Sequence, residues 1–288
     1  MRRRLLLAAP ALLTIAAAAP LKAVASFSLL ADTLRQIGGD RVSVTTLVPV
    51  DGDAHGYQPR PTDARAVTGA GLVVRNGLGL DPWMERLVQS TGFAGTTVVA
   101  TAGVTPRTIP ASRATDPHAW QDPRNGVLYA QAIAAGLAEA DPANAAAYRS
   151  AAAAYIRAIQ DTDAWVEAQF ADLPVAARRI ITTHDAFGYY GARYGIAFLA
   201  AQGLSTEAEP SAKAIATLVA QIKRDKVRAV FLENMTNPGL AKMLARETGA
   251  VLGGTVYSDA LSGPKGPAAT YLDMLRHNTA LFAASMRG

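Results

Sequence analysis

Apolar runs of four to nine residues alternate along the chain with longer stretches of helical periodicity. Residues 24–30 form an apolar run that predicts a buried strand, and 31–37 the helix after it. Gly38-Gly39-Asp40 turns the chain into β-branched 42–50, a second strand. Residues 62–69 predict a helix, 72–75 a third strand, 81–89 a helix opened by Asp81-Pro82, and 97–100 a fourth strand. A loop over 103–115 leads to the helix 124–140. Asp141-Pro142 then opens the longest helical pattern, reaching Ala171, with Tyr148, Ala152, Tyr155, Ile159, Val166 and Phe170 along one face. At ~1.5 Å per residue such a helix is roughly 45 Å long. Strands follow at 179–183, 196–201, 229–232 and 251–257, with helices ending at 194 and spanning 211–223, 238–247 and 268–286.

Strand–helix alternation on both sides of one long helix predicts an α/β protein: two parallel-sheet α/β lobes joined by a spine helix. The expected boundaries are an N-terminal lobe over 20–140, the linking helix over 141–172 and a C-terminal lobe over 173–288. Met1 to Pro20 reads as a secretory signal, with a basic start, an apolar stretch from Leu5 to Ile15, and small residues. We place the leader at 1–19, with cleavage near Ala16-Ala17-Ala18; Ala23-Val24-Ala25 also fits a small-x-small rule but falls in the first predicted strand. The expected mature protein is soluble, periplasmic and monomeric.

Composition narrows the chemistry. Lys and Arg number 28 against 23 Asp and Glu, and part of this small excess sits in Arg2, Arg3 and Arg4. No basic run with interleaved aromatics follows, so nucleic acid is not an expected partner. Cysteine is absent, which excludes disulfides, a thiolate metal site and a cysteine-borne lipid anchor. Any metal must be held by nitrogen and oxygen.

Of the four histidines, three follow predicted strands: His55 after 42–50, His118 after 97–100, and His184 after 179–183. Asp259 follows 251–257 in the same way. Ligands of open parallel sheets bind outside the carboxyl ends of strands. Each residue has a plain alternative: His55 as a loop histidine, His184 as a cap for a helix at Asp185, Asp259 as a turn residue. For Asp116-Pro117-His118-Ala119-Trp120-Gln121-Asp122-Pro123, a capped helix start explains Asp122-Pro123 but not Asp116-Pro117-His118. Jointly, three imidazoles and one carboxylate suit a four-coordinate Zn²⁺ between the lobes. A secreted zinc-dependent hydrolase is the alternative, with Glu207, Glu209 or Glu233 as base, although Glu209-Pro210 reads as a helix start and Glu233, after a strand, as a structural or metal-supporting residue. Four protein ligands would leave no position for the catalytic water. His277, in the last helix, is expected to be structural.

The segments Asp53-Ala54-His55-Gly56-Tyr57-Gln58-Pro59, Asn76-Gly77-Leu78-Gly79-Leu80, Asp116 to Pro123, Thr183-His184-Asp185-Ala186-Phe187-Gly188-Tyr189-Tyr190 and Tyr257-Ser258-Asp259-Ala260-Leu261 stand in a specific order. In these the chain resembles the cluster A-I metal-binding solute-binding proteins of ABC transporters, the ZnuA, TroA and AztC group. The resemblance spans essentially the whole mature chain. It implies two lobes on one long helix, no enzymatic activity, and His55, His118, His184 and Asp259 as ligands. It also implies Zn²⁺ (alternatively Mn²⁺) as transported cargo and a membrane permease as partner. Many manganese members have Glu as third ligand, whereas His184 stands here as in zinc members. The His-rich loop of several zinc members is missing from 101–115, which sets this chain nearer the AztC or TroA type.

Overall fold

A computed structural model describes residues 19–109 and 113–287. The expected leader, including Ala16-Ala17-Ala18, therefore lies outside the described residues apart from Ala19. Strands β1 (Leu21–Phe27), β2 (Val42–Val48), β3 (Leu72–Arg75) and β4 (Thr96–Val99) form one sheet in the order β2-β1-β3-β4. Strands β5 (Arg179–His184), β6 (Ala197–Gln202), β7 (Ala229–Glu233) and β8 (Val251–Val256) form a second, in the order β6-β5-β7-β8. Every pairing is parallel. In both sheets the strand order reverses at the first strand, so each lobe has a switch point where the carboxyl ends open a crevice.

The helices are α1 (Ser28–Gly38), α2 (Pro61–Thr68), α3 (Pro82–Ser90), α4 (Pro123–Ala140), α5 (Ala145–Phe170), α6 (Gly188–Tyr194), α7 (Ala212–Asp225), α8 (Pro238–Thr248) and α9 (Tyr271–Arg287). The two-lobed α/β architecture is thus the one that the alternation predicts. Several boundaries differ from the sequence expectation, and for three of them the structure gives a physical reason. Ser28, Leu29 and Leu30 are helical rather than strand. They are as buried as β1 itself, and a continuous apolar run carries no periodicity to separate the two states. The long helix starts later, after a 3-10 turn at Pro142–Asn144. There the Asp141 carboxylate accepts from Asn144 Nδ2 at 2.7 Å and Tyr148 Oη at 2.6 Å, which ties off the entering chain. At 26 residues, α5 is about 39 Å long. The last helix starts at Tyr271, not 268, because Asp32 of α1 accepts from Tyr271 N at 2.8 Å while Ser262 and Ala268 close a separate loop.

Two helices bind the lobes together. Tyr148, Ala152, Tyr155 and Ile159 of α5 lie in the core of the first lobe, and Val166 and Phe170 in that of the second. Helix α9 does the same: Tyr271, Met274 and Leu275 pack into the first core, Phe282, Ala283 and Met286 into the second. The chain therefore returns across both lobes after completing the second sheet. Phe282 is fully buried, with ring centroids 5.2–5.7 Å away being those of Phe187, Tyr190, Phe198 and Phe231.

Truncating that ring leaves a void edged by four aromatics. Phe282→Ala is expected to lower stability by about 3–5 kcal/mol in urea unfolding. A loss under 1 kcal/mol would show that the second core collapses around the gap.

Candidate metal centre

His55 lies in the loop after β2, His118 in the loop after β4, His184 is the last residue of β5, and Asp259 follows β8. All four leave the carboxyl ends of parallel strands. One donor atom from each lies within 4.8 Å of all the others. Asp259 Oδ2 is 3.1 Å from His55 Nε2 and 3.2 Å from His184 Nε2, and Oδ1 is 3.6 Å from His118 Nε2. His55 Nε2 and His118 Nε2 are 3.2 Å apart. Three Nε2 atoms thus face one carboxylate. His277 stays apart: its Nε2 is 2.9 Å from Thr255 O, which fastens α9 to β8.

The turns that carry the first two histidines are built alike. In Asp53-Ala54-His55 and Asp116-Pro117-His118, the aspartate Oδ1 accepts from the histidine backbone N–H, at 2.8 and 3.0 Å. This is the turn in which Asp reaches its own backbone two residues on. Asp116 does more: Oδ1 is also 2.8 Å from His118 Nδ1, and Oδ2 accepts from Arg107 at 2.7 Å. With Nδ1 engaged, the ring presents Nε2 to the cluster. Behind it, Asn76 Nδ2 donates to Pro117 O at 3.0 Å, while Asn76 Oδ1 accepts from Tyr129 Oη at 2.6 Å. The following Gly77 has φ of +88°, and a Cβ there would lie 2.7 Å from Val99 Cγ1, so this approach requires glycine.

His184 is set by Glu233, at the end of β7. Glu233 Oε1 accepts from Thr183 N at 2.8 Å, His184 N at 2.9 Å, and the Thr183 hydroxyl. Its Oε2 lies 2.5 Å from His184 Nδ1, as an ion-pair contact out of line for a hydrogen bond. Asp259 is set from the other lobe: Trp120 Nε1 and Gln121 Nε2 both donate to Ser258 O at 2.9 Å. A further cross-lobe bond runs from Thr206 Oγ1 to Asp53 Oδ2, at 2.6 Å.

Sequence reasoning pointed to the four residues of the cluster and to Glu233 as a structural or supporting residue, but not to Asp53 and Arg107 as clamps. Asp53 carries a visible cue, because Asp-x-His occurs twice. Glu233, weighed both as a hydrolytic base and as a structural or supporting residue, is committed to β5 and His184. Arg107 carries no local cue, since its partner is reached only through the loop 103–115.

Burial makes the cluster electrostatically demanding, since His118, His184 and Asp259 are inaccessible to solvent. Burial pushes the His118 ring down, but Asp259 and Asp116 outweigh it and raise the pKa to about 9. Burial likewise pushes His184 down, and Glu233 and Asp259 lift it well above the usual imidazole range. Burial pushes Asp259 up, and His184 and His118 overcome it to hold the carboxyl well below the carboxylate range. Both Asp259 oxygens and His184 Nε2 are nonetheless buried without a hydrogen-bond partner. Such atoms are rare in folded proteins, and a cation between them would satisfy all three. Three nitrogen donors and one oxygen donor suit a divalent transition ion.

The His118 shift has a consequence for the metal-free protein. With its folded pKa raised from 6.5 to about 9, the protonated ring adds stability fully present below about pH 6.5 and lost as pH rises through about 9. Chelator-treated protein should lose on the order of 3 kcal/mol between pH 6.5 and 10 through this group. An NMR titration of the His118 ring giving a midpoint near 6.5 would contradict it.

Comparison with known proteins agrees with this arrangement. The family described as ZnuA, zinc-uptake complex component A, periplasmic, matches residues 23–285. The manganese-binding lipoprotein MntA of Halalkalibacterium halodurans is 34% identical over 267 residues, covering 92% of this chain and 88% of that protein. The iron-binding protein YfeA of Yersinia pestis is 33% identical over 257 residues, covering 88% and 82%. Among solved structures, the manganese-bound periplasmic metal binding protein of Candidatus Liberibacter asiaticus has a TM-score of 0.84 at 28% identity, covering 92% of this chain and 99% of that one. The periplasmic zinc binding protein TroA of Treponema pallidum has a TM-score of 0.89 at 25% identity, covering 93% and 99%. A further relative is named as a metal ABC transporter substrate-binding lipoprotein, SsaB of Streptococcus sanguinis, and the hydrolase alternative finds no support among these matches. With the family matched along nearly its whole length, the chain belongs to the ZnuA family: it is a metal-binding substrate-binding protein of an ABC transporter and not an enzyme.

Proposed function

We propose that His55, His118, His184 and Asp259 hold one divalent transition-metal ion as cargo, which the protein captures in the periplasm and delivers to its membrane permease. The observation that carries this reading is the convergence of three Nε2 atoms and one buried carboxylate within 4.8 Å. Zn²⁺ is the preferred cargo. Imidazole suits Zn²⁺, carboxylate and water suit Mn²⁺, and for a fixed nitrogen–oxygen donor set Zn²⁺ lies far above Mn²⁺ in the affinity order. Mn²⁺ is the second reading, favoured by relatives whose names state manganese. The metals named for relatives also include iron and zinc, so kinship does not choose among them.

Among the described residues, no helix is long and apolar enough to cross a membrane. Several relatives are named lipoproteins. This chain contains no cysteine, which favours a protein released from its leader rather than held by a cysteine-linked lipid.

Titration of metal-free protein should give one tight ion per chain, and Zn²⁺ should displace bound Mn²⁺ at equal concentration. Two equally tight ions, or Mn²⁺ displacing Zn²⁺, would overturn the stoichiometry or the preference respectively.

Asp259→Ala removes the one anionic donor and leaves three imidazoles, an arrangement that can still hold zinc with water in the fourth position. At ~1,000-fold excess of Zn²⁺ over the dissociation constant, the unaltered protein gains about 4 kcal/mol. The variant should gain less at the same Zn²⁺ concentration and lose metal faster to a chelator. Equal stabilisation and equal release rates would reduce Asp259 to a turn residue.

A further inference from the structure

At the opposite end of the second sheet from the histidines lies a cavity of about 730 Å³. It opens where β7 and β8 begin, between the carboxyl ends of α7, α8 and α9. Its walls are apolar: Ile222, Val227, Ala229, Val251 and Leu281 line it. Ile222, Val227 and Ala229 form its buried floor, while Val251 is 69% exposed beside it. With Leu252 at 40%, this strand start contributes two of the five large apolar side chains that the described residues expose. The volume falls in the range of pockets that enclose small organic ligands.

The rim carries charge of one sign. Lys223, Lys226 and Arg228 line the cavity, and none has a carboxylate partner within ion-pair distance among the described residues. The nearby Asp225 carboxylate is occupied by Arg179 at 3.4 Å and Arg224 at 2.9 Å. Thr248 and Ser285 add hydroxyls to the lining. An apolar pocket with a cationic rim is complementary to a molecule with an apolar body and an anionic head.

We propose that this cavity is a binding site for an amphiphilic carboxylate, such as a medium-chain fatty acid. The alkyl chain lies against Val251, Leu281 and Ala229, and the carboxylate meets Lys223, Lys226 and Arg228. Strand addition by a second copy at β8 suits the geometry less. The ladder with β7 has a register shift between Val230 and Leu232, and Gly254 sits at φ of +104°, so the edge is not a regular template. Concavity favours a small molecule over a flat protein partner. The site is separate from the metal cluster: β7 begins at Ala229 in the cavity floor and ends at Glu233 beside His184.

The test is calorimetric titration of the metal-loaded protein with laurate below its micelle concentration. Dodecanol and dodecyltrimethylammonium serve as neutral and cationic probes of equal chain length. One saturable laurate site is expected, at least tenfold tighter than either control. Lys226→Glu with Arg228→Glu should weaken laurate at least tenfold. Ala284→Trp, which places a ring in the cavity from α9, should abolish binding. Unchanged Zn²⁺ titration certifies that both variants fold. No saturable laurate binding, equal affinity for dodecanol, or undiminished binding by Ala284→Trp overturns the proposal. So does capture of an acidic peptide or of anionic vesicles in place of laurate, which would mark the face as a docking surface.

Discussion

Asp259 is a carboxylate with no solvent contact, set against three imidazoles that come from both lobes. A lone buried charge costs several kcal/mol unless an opposite charge sits against it. The cluster therefore needs positive charge whenever the lobes are together. Protons on the rings can supply it, and so can a metal ion, but the two compete for the same Nε2 atoms. This competition makes occupancy of the centre a matter of proton exchange. It also ties that exchange to the lobes, since two histidines come from the first lobe while His184 and Asp259 come from the second.

The carboxylates around the cluster decide which way the rings face. Asp116 and Glu233 approach Nδ1 of His118 and His184, and both also accept the backbone N–H of the histidine that they orient. A ring held by its far nitrogen and by its own backbone has little rotamer freedom left, so its Nε2 is kept turned toward the cluster. His55 is held differently, through its backbone alone, by Asp53. Its side chain is 5% exposed, and it borders the groove lined by Leu78, Pro117 and Leu204. Of the four donors it is the one nearest solvent, on a loop that the second lobe touches through Thr206.

Two helices crossing between the lobes set the scale of any motion. A single spine would leave the lobes free to swing about its ends. Here α9 returns beside α5 and places apolar side chains in both cores, and Arg276 of α9 donates to Thr162 of α5 at 3.0 Å. Opening the cleft widely would expose part of two cores at once.

Much of this was determined by the sequence alone. Strand–helix alternation required two parallel sheets, because continuous apolar strands and the apolar faces of amphipathic helices are buried only against each other. The convergence of His55, His118, His184 and Asp259 was legible because each follows a strand, and a parallel sheet puts all its strand ends on one side. The repeated Asp-x-His turn is local chemistry, readable within three residues. What only the tertiary structure decided involves contacts between distant segments. Ser28 to Leu30 became helix because their burial is the same in either state, and packing of α1 on α5 broke the tie. Glu233 became the clamp of His184 because β7 lies beside β5 in the sheet, an adjacency that strand order sets and composition does not. Helix α9 became a second bridge because Asp32, far away in α1, fixes where it begins. Hydrophobic periodicity says which face of an element is buried; it carries no information about which partner covers it.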